Sequence, residues 1–233
     1  MHRRTFLQLA ALAAVAPARA LAQPATGRAL AFATADDDAS VVVLDLATGR
    51  VVARIATPAG PSSIETVGRG TLALVGHADA GAVSLIDVAS LRVVRVLEGF
   101  GEPRYTAAGP GGRYAYVTDA ARGELAVIDL VRRRVSDRVE AGALARHLTI
   151  SPDGRSLFAA LGPKAEAVAE LDASDPARPR LKRSFAPVDR AHDVVVSVDG
   201  STVWVTSGVA DGIALHDARS TRLVRRIAAG RPP

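Results

Sequence analysis

Apolar residues along this chain come in short runs that alternate with polar positions or continue for four to six residues, and turn-forming residues separate the runs. The stretch YAYVTDAARGELAVIDL at 114–130 is typical: an aromatic-rich apolar run, a polar break, a second apolar run and an aspartate. Short runs of this kind between turn signals predict β-strands rather than helices. The pattern therefore predicts an all-β protein.

The same arrangement recurs five times. An aspartate ends the second apolar run of each repeat, and successive aspartates are 42, 42, 43 and 45 residues apart. They are Asp45, Asp87, Asp129, Asp172 and Asp217. Each repeat has room for four short antiparallel strands, named A to D in chain order. Tandem four-stranded units of about 40 residues are typical of β-propeller blades.

The repeats predict one β-propeller domain over 23–233, with blades at about 28–58, 59–100, 101–142, 143–187 and 188–230. The first repeat starts with RALAFATA, which has the pattern of a B strand, so this blade is expected to lack strand A. Trp204 lies in the B strand of the fifth repeat and is expected to pack between blades.

YVTDAARGELAVIDL resembles the YVTN-type propeller repeat, a WD40-like repeat of surface-layer proteins and related exported bacterial propellers. The match recurs as WVTSGVADGIALHD (204–217) and more loosely as LVGHADAGAVSLID (74–87). The chain also resembles, more distantly, the propeller of cytochrome-cd-type nitrite reductases. The resemblance implies a propeller fold, and it implies no single activity because propellers host many functions.

Five repeats are fewer than the roughly seven blades usual in YVTN-type propellers, so the sequence predicts an incomplete ring. Three explanations are open: a C-terminally incomplete sequence, an open arc, or closure by another chain. We favour the first, because the terminal IAAGRPP stops where a further strand A would begin and its prolines make poor ladder partners.

The first residues, MHRRTFLQLAALAAVAPARALAQ, have the features of an export signal: a charged start, a short apolar core and a small-residue cleavage site at 20–22. Arg3-Arg4 with Phe6 and Leu7 resembles the twin-arginine pattern, and an ordinary secretory signal is the alternative. The apolar run is too short to serve as a membrane anchor. We expect residues 1–22 to be removed and the mature protein, without a transmembrane anchor, to be periplasmic or secreted.

Composition narrows the chemistry further. The chain has no cysteine, which excludes disulfides, thiolate metal sites and a cysteine nucleophile. Removing the signal with its three arginines lowers the net charge from +5 to about +2, so no nucleic-acid partner is expected. Motifs of hydrolases, zinc proteases and P-loops are missing, and the histidines lack metal-binding spacing. We predict no catalytic residue and no metal site, and the sequence identifies no cofactor.

Propeller geometry sorts the remaining polar residues by face. The five aspartates fall at the starts of the C–D turns, where an aspartate bonds its own backbone. Strand A lines the central channel, and its first residues share a face with the B–C loops. Eight residues before the closing glycine of each A–B turn stand Ser62, Arg104, Arg146 and His192.

These four residues, with His77, Asp119 and Arg190, are the predicted ligand-binding set at the channel mouth. The position of Asp119 is occupied in the other repeats by Ala35, His77, Gly162 and Ser207. Two or three guanidinium groups converging there would hold a carboxylate or a phosphate. The alternative is that the arginines are solvated or pair with Glu102, Glu65 and Asp193.

The sequence therefore favours an exported, non-catalytic propeller that binds a small anionic ligand or a protein partner through its channel face. One alternative is an enzyme or enzyme accessory, either a lactonase-like hydrolase or a subunit associated with a redox cofactor. A second is a structural envelope protein, which predicts self-assembly and no small-molecule ligand.

Overall fold

The computed structural model describes residues 29–162 and 165–230, which form five antiparallel sheets. The first sheet has three strands and the other four have four each, so the predicted all-β fold of about five propeller blades is confirmed. Blade 1 begins at strand B within the described residues, as expected. The predicted export signal, residues 1–22, lies outside the described residues.

The strands follow the A-to-D order of the repeats. Blade 1 contains β1 Leu30–Ala35, β2 Ser40–Asp45 and β3 Arg50–Ala56. Blade 2 contains β4 Pro61–Val67, β5 Leu72–His77, β6 Ala82–Asp87 and β7 Arg92–Leu97. Blade 3 contains β8 Pro103–Ala108, β9 Tyr114–Asp119, β10 Glu124–Asp129 and β11 Arg134–Glu140. Blade 4 contains β12 Ala145–Ile150, β13 Ser156–Leu161, β14 Val168–Asp172 and β15 Arg180–Phe185. Blade 5 contains β16 Ala191–Val196, β17 Thr202–Ser207, β18 Gly212–Asp217 and β19 Leu223–Ala228.

The core lies between the blades, because the period of two sends alternate residues of each strand to opposite sheet faces. We call the face that meets the next blade along the chain the trailing face, and the face that meets the preceding blade the leading face. Trailing faces carry a large side chain in the middle of strand B, whereas leading faces carry smaller aliphatic ones. Tyr116 of blade 3 thus packs near Leu157 and Ala169 of blade 4.

The C–D turns are built alike in all five blades. The carboxylate of Asp129 accepts hydrogen bonds from the backbone N–H groups of Val131 (3.0 Å) and Arg132 (2.9 Å). The corresponding aspartates of the other blades, Asp45, Asp87, Asp172 and Asp217, accept backbone hydrogen bonds from residues two or three positions later. The prediction that these aspartates are turn residues is confirmed.

Candidate functional site at the channel mouth

Each complete blade has a β-bulge near the start of its inner strand. In blade 3, Pro103 pairs with Asp119 and the next pair is Thr106 with Val117, so strand A carries one more residue than strand B between the two pairs. Blades 2, 4 and 5 have the same irregularity at the same place. A bulge re-aims side chains and is frequent beside functional sites. In blades 3 to 5, two adjacent residues of strand A therefore lie within each bulge.

Threonine hydroxyl groups on strand B hold the bulges of blades 3 and 5. The hydroxyl of Thr118 accepts a hydrogen bond from the backbone N–H of Tyr105 (3.1 Å) and donates one to the carbonyl of Arg146 in the next blade (2.8 Å). Thr206 likewise accepts a hydrogen bond from the N–H of Asp193 (3.0 Å). The bulges of blades 3 and 4 are thus tied to each other by one side chain.

The bulges bring together Arg104, Tyr105, Arg146, His147 and His192, which we call the bulge cluster. The ring centroids of Tyr105 and His147 are 3.9 Å apart, and those of His147 and His192 are 4.8 Å apart. Three successive blades therefore contribute a continuous row of rings, and in two of these blades an arginine directly precedes the ring in the sequence. Rings at these separations are in direct contact.

Three nitrogen atoms of the bulge cluster are buried and have no hydrogen-bond partner among the described residues. They are Nε of Arg104, Nε of Arg146 and Nδ1 of His147. The terminal nitrogen of Arg104 does pair with Glu102, as the alternative interpretation of the sequence anticipated. Burial lowers the pKa of His147, and the charges of His192 and Arg146 lower it further although Asp193 opposes them. The His147 imidazole is therefore neutral near pH 7.

Asp119, a predicted ligand contact, is fully buried. Its carboxylate accepts hydrogen bonds from the N–H groups of Gly101 (2.8 Å) and Glu102 (2.9 Å). The guanidinium groups of Arg122 and Arg138 lie 3.6 and 3.8 Å away. These contacts tie the start of one inner strand to the B–C loop, so Asp119 positions the chain that carries Arg104.

His77 occupies the same strand position in blade 2 and is also fully buried. Its Nε2 lies 2.5 Å from the hydroxyl of Ser84, and burial lowers its pKa to about 4. In blade 4 the strand register places Leu161 at this position, not Gly162 as the sequence alignment of repeats had it. The position is buried in blades 2, 3 and 5 and half-buried in blade 4.

The two remaining predicted residues, Ser62 and Arg190, do not belong to the bulge cluster. Ser62 is exposed in the bulge of blade 2, where its hydroxyl donates a long hydrogen bond (3.4 Å) to the carbonyl of Gly76. Arg190 precedes strand A of blade 5 and pairs with Glu166 at 2.7 Å, both side chains being largely exposed. Neither has a contact within the bulge cluster that the structure records.

The predicted ligand-binding set contained neither Tyr105 nor His147. The repeat identifies one residue per inner strand, whereas the bulge presents two in blades 3 to 5. A signal was present: the B strands of blades 3 and 5 carry threonine at the position opposite the bulge, Thr118 and Thr206. That recurrence becomes meaningful only once the strand register is known.

A cavity of about 390 Å³ opens at the other end of the blades, between blades 4 and 5. Its lining includes Phe158, Lys182 and the buried Glu170, whose carboxylate pairs with Lys182 (2.7 Å) and Arg183 (2.5 Å). Within residues 29–162 and 165–230, no group of three or more histidine, cysteine, aspartate or glutamate side chains is arranged to hold a metal ion. No helix in these same ranges is long and apolar enough to cross a membrane.

The profile of the family described as "Cytochrome D1 heme domain" matches residues 67–175, just under half of the chain. This span includes four of the five residues of the bulge cluster. The match agrees with the resemblance to cytochrome-cd-type nitrite reductases, whereas the YVTN label stays a prediction. No curated protein matches the chain.

Solved structures share the fold. Hydrazine synthase of Kuenenia stuttgartiensis superposes with a TM-score of 0.74 at 20% identity, covering 84% of this chain and 62% of that one. A functionally unknown protein from Desulfotomaculum acetoxidans DSM 771 gives 0.72 at 16% identity, with 86% and 67% covered. Dihydro-heme d1 dehydrogenase NirN in complex with DHE gives 0.68 at 22% identity, with 84% and 43% covered. At these identities the likeness shows the fold alone, and this chain spans about two thirds or less of each relative.

Proposed function

We propose that this protein is a non-catalytic binding module whose bulge cluster holds a planar ligand bearing carboxylate groups, with a haem of the d1 type as the specific candidate. The observation that carries the proposal is the presence of three buried nitrogen atoms without partners at the mouth, on Arg104, Arg146 and His147. An unpaired buried polar group costs about 1–3 kcal/mol. A ligand that supplies acceptors there recovers that cost on binding.

The chemistry of the donors selects the ligand class. Guanidinium groups bind carboxylates through two parallel hydrogen bonds. The adjacent rings of Tyr105, His147 and His192 offer a surface on which a flat, polarisable ligand stacks. A ligand with a flat ring and acidic side arms uses both features, whereas a bare phosphate uses only the arginines.

A d1-type haem fits this donor set. Arg104 and Arg146 would hold its acidic substituents, and the neutral imidazole of His147 or the ring of His192 would approach its iron. The family match over residues 67–175 and the NirN structure, whose title names heme d1, support this choice. The bound iron would supply electron-transfer chemistry, and the residues of the cluster supply binding and orientation. Among the alternatives from the sequence, this favours a subunit associated with a redox cofactor.

Export remains part of the proposal. Residues 1–22 would direct the chain out of the cytoplasm, and a twin-arginine signal suits a protein that acquires a cofactor while folded. The N-terminal sequence of the protein purified from its own host tests this, because a mature form starting near residue 23 is expected and an intact Met1 would exclude cleavage.

The proposal is tested by absorbance titration of the purified protein with haem d1 and, separately, with iron protoporphyrin IX. We expect saturable binding of haem d1, and the double variant Arg104→Ala/Arg146→Ala to weaken it at least about ten-fold, from the loss of two charge-assisted contacts. His147→Ala is expected to change the spectrum of the bound haem more than its affinity. The control Arg92→Ala/Arg134→Ala removes the same charge from two repeat-equivalent exposed positions on outer strands.

Two outcomes would overturn the proposal. One is the absence of saturable binding of both haem d1 and iron protoporphyrin IX. The other is equal binding by the wild type, the cluster variant and the control, which would move the site away from Arg104 and Arg146. Tight binding of iron protoporphyrin IX alone would retain the carboxylate-bearing class and exclude the d1 type.

A further inference from the structure

The cavity between blades 4 and 5 contains a departure from the repeat. The third-last residue of strand C is aliphatic in four blades and a glutamate, Glu170, in blade 4. The aliphatic residues are Val43, Leu85, Val127 and Leu215. Glu170 is nearly as deeply buried as the first three of them, with 1% of its surface exposed. Burying a carboxylate is unfavourable unless it is paired, so packing alone does not explain this glutamate.

Lys182 departs from the repeat beside Glu170. It occupies the bulged position of the outermost strand, where the other four blades have uncharged residues. These are Val52, Val94, Ser136 and Val224. Lys182 is the only lysine within residues 29–162 and 165–230. Its ammonium group lies 2.7 Å from one carboxylate oxygen of Glu170, and Nε of Arg183 lies 2.5 Å from the other. Two cations share one buried carboxylate, so this cluster keeps an excess positive charge.

The other charges that line the cavity are separated across the sheets. In blades 4 and 5 the strands lie in the order A to D, so the A–B turns are at one side of each sheet and strand D is at the other. Asp153 and Asp199 line the cavity from the A–B turns of blades 4 and 5. Lys182 lines it from strand D of blade 4, and Arg219 lines it from the C–D turn of blade 5. We call these two pairs the acidic side and the basic side of the cavity.

Serine hydroxyl groups hold both carboxylates of the acidic side. Ser151 donates a hydrogen bond to Asp153 (2.6 Å), and Ser197 donates one to Asp199 (2.5 Å). These bonds and backbone N–H donors of the same turns lower the pKa of both aspartates, that of Asp199 to about 2. Both carboxylates are therefore ionised at neutral pH and offer acceptors to a cationic group.

The two sides are too far apart for a single small ion to contact both. Within blade 4 the A–B turn lies two to three strand spacings from strand D, or about 10–14 Å between backbones. The side chains of Asp153 and Lys182 shorten this span. An extended dipeptide spans about 7 Å, whereas one carbon separates the two charged groups of a free α-amino acid. A ligand with charged groups at its two ends therefore fits this cavity better than a compact one.

We propose that the cavity binds a short peptide with free termini, whose ammonium group pairs with the acidic side and whose carboxylate pairs with the basic side. The volume of about 390 Å³ is within the range of about 300–1,000 Å³ typical of small-molecule sites. Glu170 holds the ammonium group of Lys182 at the cavity wall, and Arg183 neutralises that carboxylate. The charge of Lys182 is then available to the ligand. Charge-assisted hydrogen bonds at both ends fix the direction of the peptide.

Calorimetric titration with dialanine tests the proposal on the wild type. We expect saturable one-to-one binding, at least about ten-fold tighter than that of N-acetyl-dialanine or dialanine amide, each of which lacks one terminal charge. Free alanine is expected to bind at least about ten-fold more weakly than dialanine as well, because its charged groups do not reach both sides. No saturable binding of dialanine up to roughly 10 mM, or equal binding of all four compounds, would overturn the proposal.

Two variants test which end of the peptide meets which side. Lys182→Met removes the charge and keeps the length of the side chain, so it is expected to weaken dialanine binding at least about ten-fold and to leave the affinity for dialanine amide unchanged. Asp153→Asn/Asp199→Asn is expected to weaken dialanine binding and to spare N-acetyl-dialanine. Arg180→Met removes the same charge from an exposed residue of the same strand outside the lining, and is the control expected to behave as wild type. Equal effects of the Lys182 and Arg180 variants would contradict the proposal.

A purely structural role is the competing explanation for Glu170, because Arg183 also donates hydrogen bonds to the carbonyl groups of Ala218 (3.4 Å) and Arg219 (2.5 Å) in blade 5. Glu170→Leu introduces the residue that blades 2 and 5 have at this position. We expect it to fold, as urea unfolding will show, and to bind dialanine at least about ten-fold more weakly. Wild-type affinity in the folded variant would contradict the role of Glu170.

Lys182→Met keeps the proposal testable if Glu170→Leu does not fold, because the side chain of Lys182 is 50% exposed and its loss leaves the pair of Glu170 and Arg183 intact. The cavity and the bulge cluster share no residue. Dipeptide binding and haem binding therefore succeed or fail independently.

Discussion

The C–D turns and the inner-strand bulges are both repeated in every complete blade, yet they differ in what is repeated. In the turns the side chain recurs: an aspartate does the same local job five times. In the bulges the backbone recurs, whereas the side chains change from Ser62 in blade 2 to Arg104, Arg146 and His192 in the others. The repeated side chain serves the fold, and the repeated backbone with changing side chains is the frame of the proposed binding site.

Asp119 lies at the end of strand B that is opposite the C–D turn, but its carboxylate accepts backbone hydrogen bonds as the turn aspartates do. We expect Asp119→Ala to lower the free energy of unfolding by about 3 kcal/mol, since two backbone donors and two guanidinium groups lose their buried acceptor. Urea denaturation measures the loss. Asp119→Asn keeps one acceptor oxygen and is expected to fall between the variant and wild type. A loss below about 0.5 kcal/mol would show that the carboxylate does not hold the loop.

His77 gives a smaller, pH-dependent effect at the same position of blade 2. Its folded pKa of about 4 lies below the unfolded value of about 6.5, so the unfolded chain binds more protons between these values. Stability is therefore complete above pH 6.5 and falls as the pH drops towards 4, by up to about 1.4 kcal/mol per pH unit. Urea unfolding at pH 7, 6 and 5 tests this. His77→Gln is expected to flatten the profile, and an unchanged slope would assign it to other groups.

Local sequence signals predicted the parts of the molecule that local chemistry determines. The period of two and the turn residues gave the strands, and the aspartate positions gave the turns, because an Asx-type turn closes within four residues. The partner of Asp119 was not predictable this way, since its hydrogen bonds reach back 17 and 18 residues to Glu102 and Gly101. Tyr105 was missed for a related reason: a bulge is a property of the pairing of two strands.

Trp204 is 38% exposed, so the expectation that it packs between blades is wrong within the described residues. Its strand position was assigned correctly, and its equivalents are buried in the blades that follow blade 1. Burial, however, depends on what lies beyond the sheet. The repeat specifies which sheet face carries the large apolar side chain. In blade 5, the described part of the chain supplies no blade to cover that face.

Stability and haem d1 affinity, measured on two variants, separate the role of the turns from that of the bulges most directly. Asp45→Ala removes a repeated turn carboxylate that accepts two backbone hydrogen bonds, and Arg104→Ala/Arg146→Ala alters the bulges. We expect the turn variant to lose about 1–2 kcal/mol of stability and to keep its affinity, and the bulge variant to keep its stability within about 0.5 kcal/mol and to lose affinity at least about ten-fold. The reverse assignment, or loss of both properties in both variants, would contradict the separation of frame and binding surface.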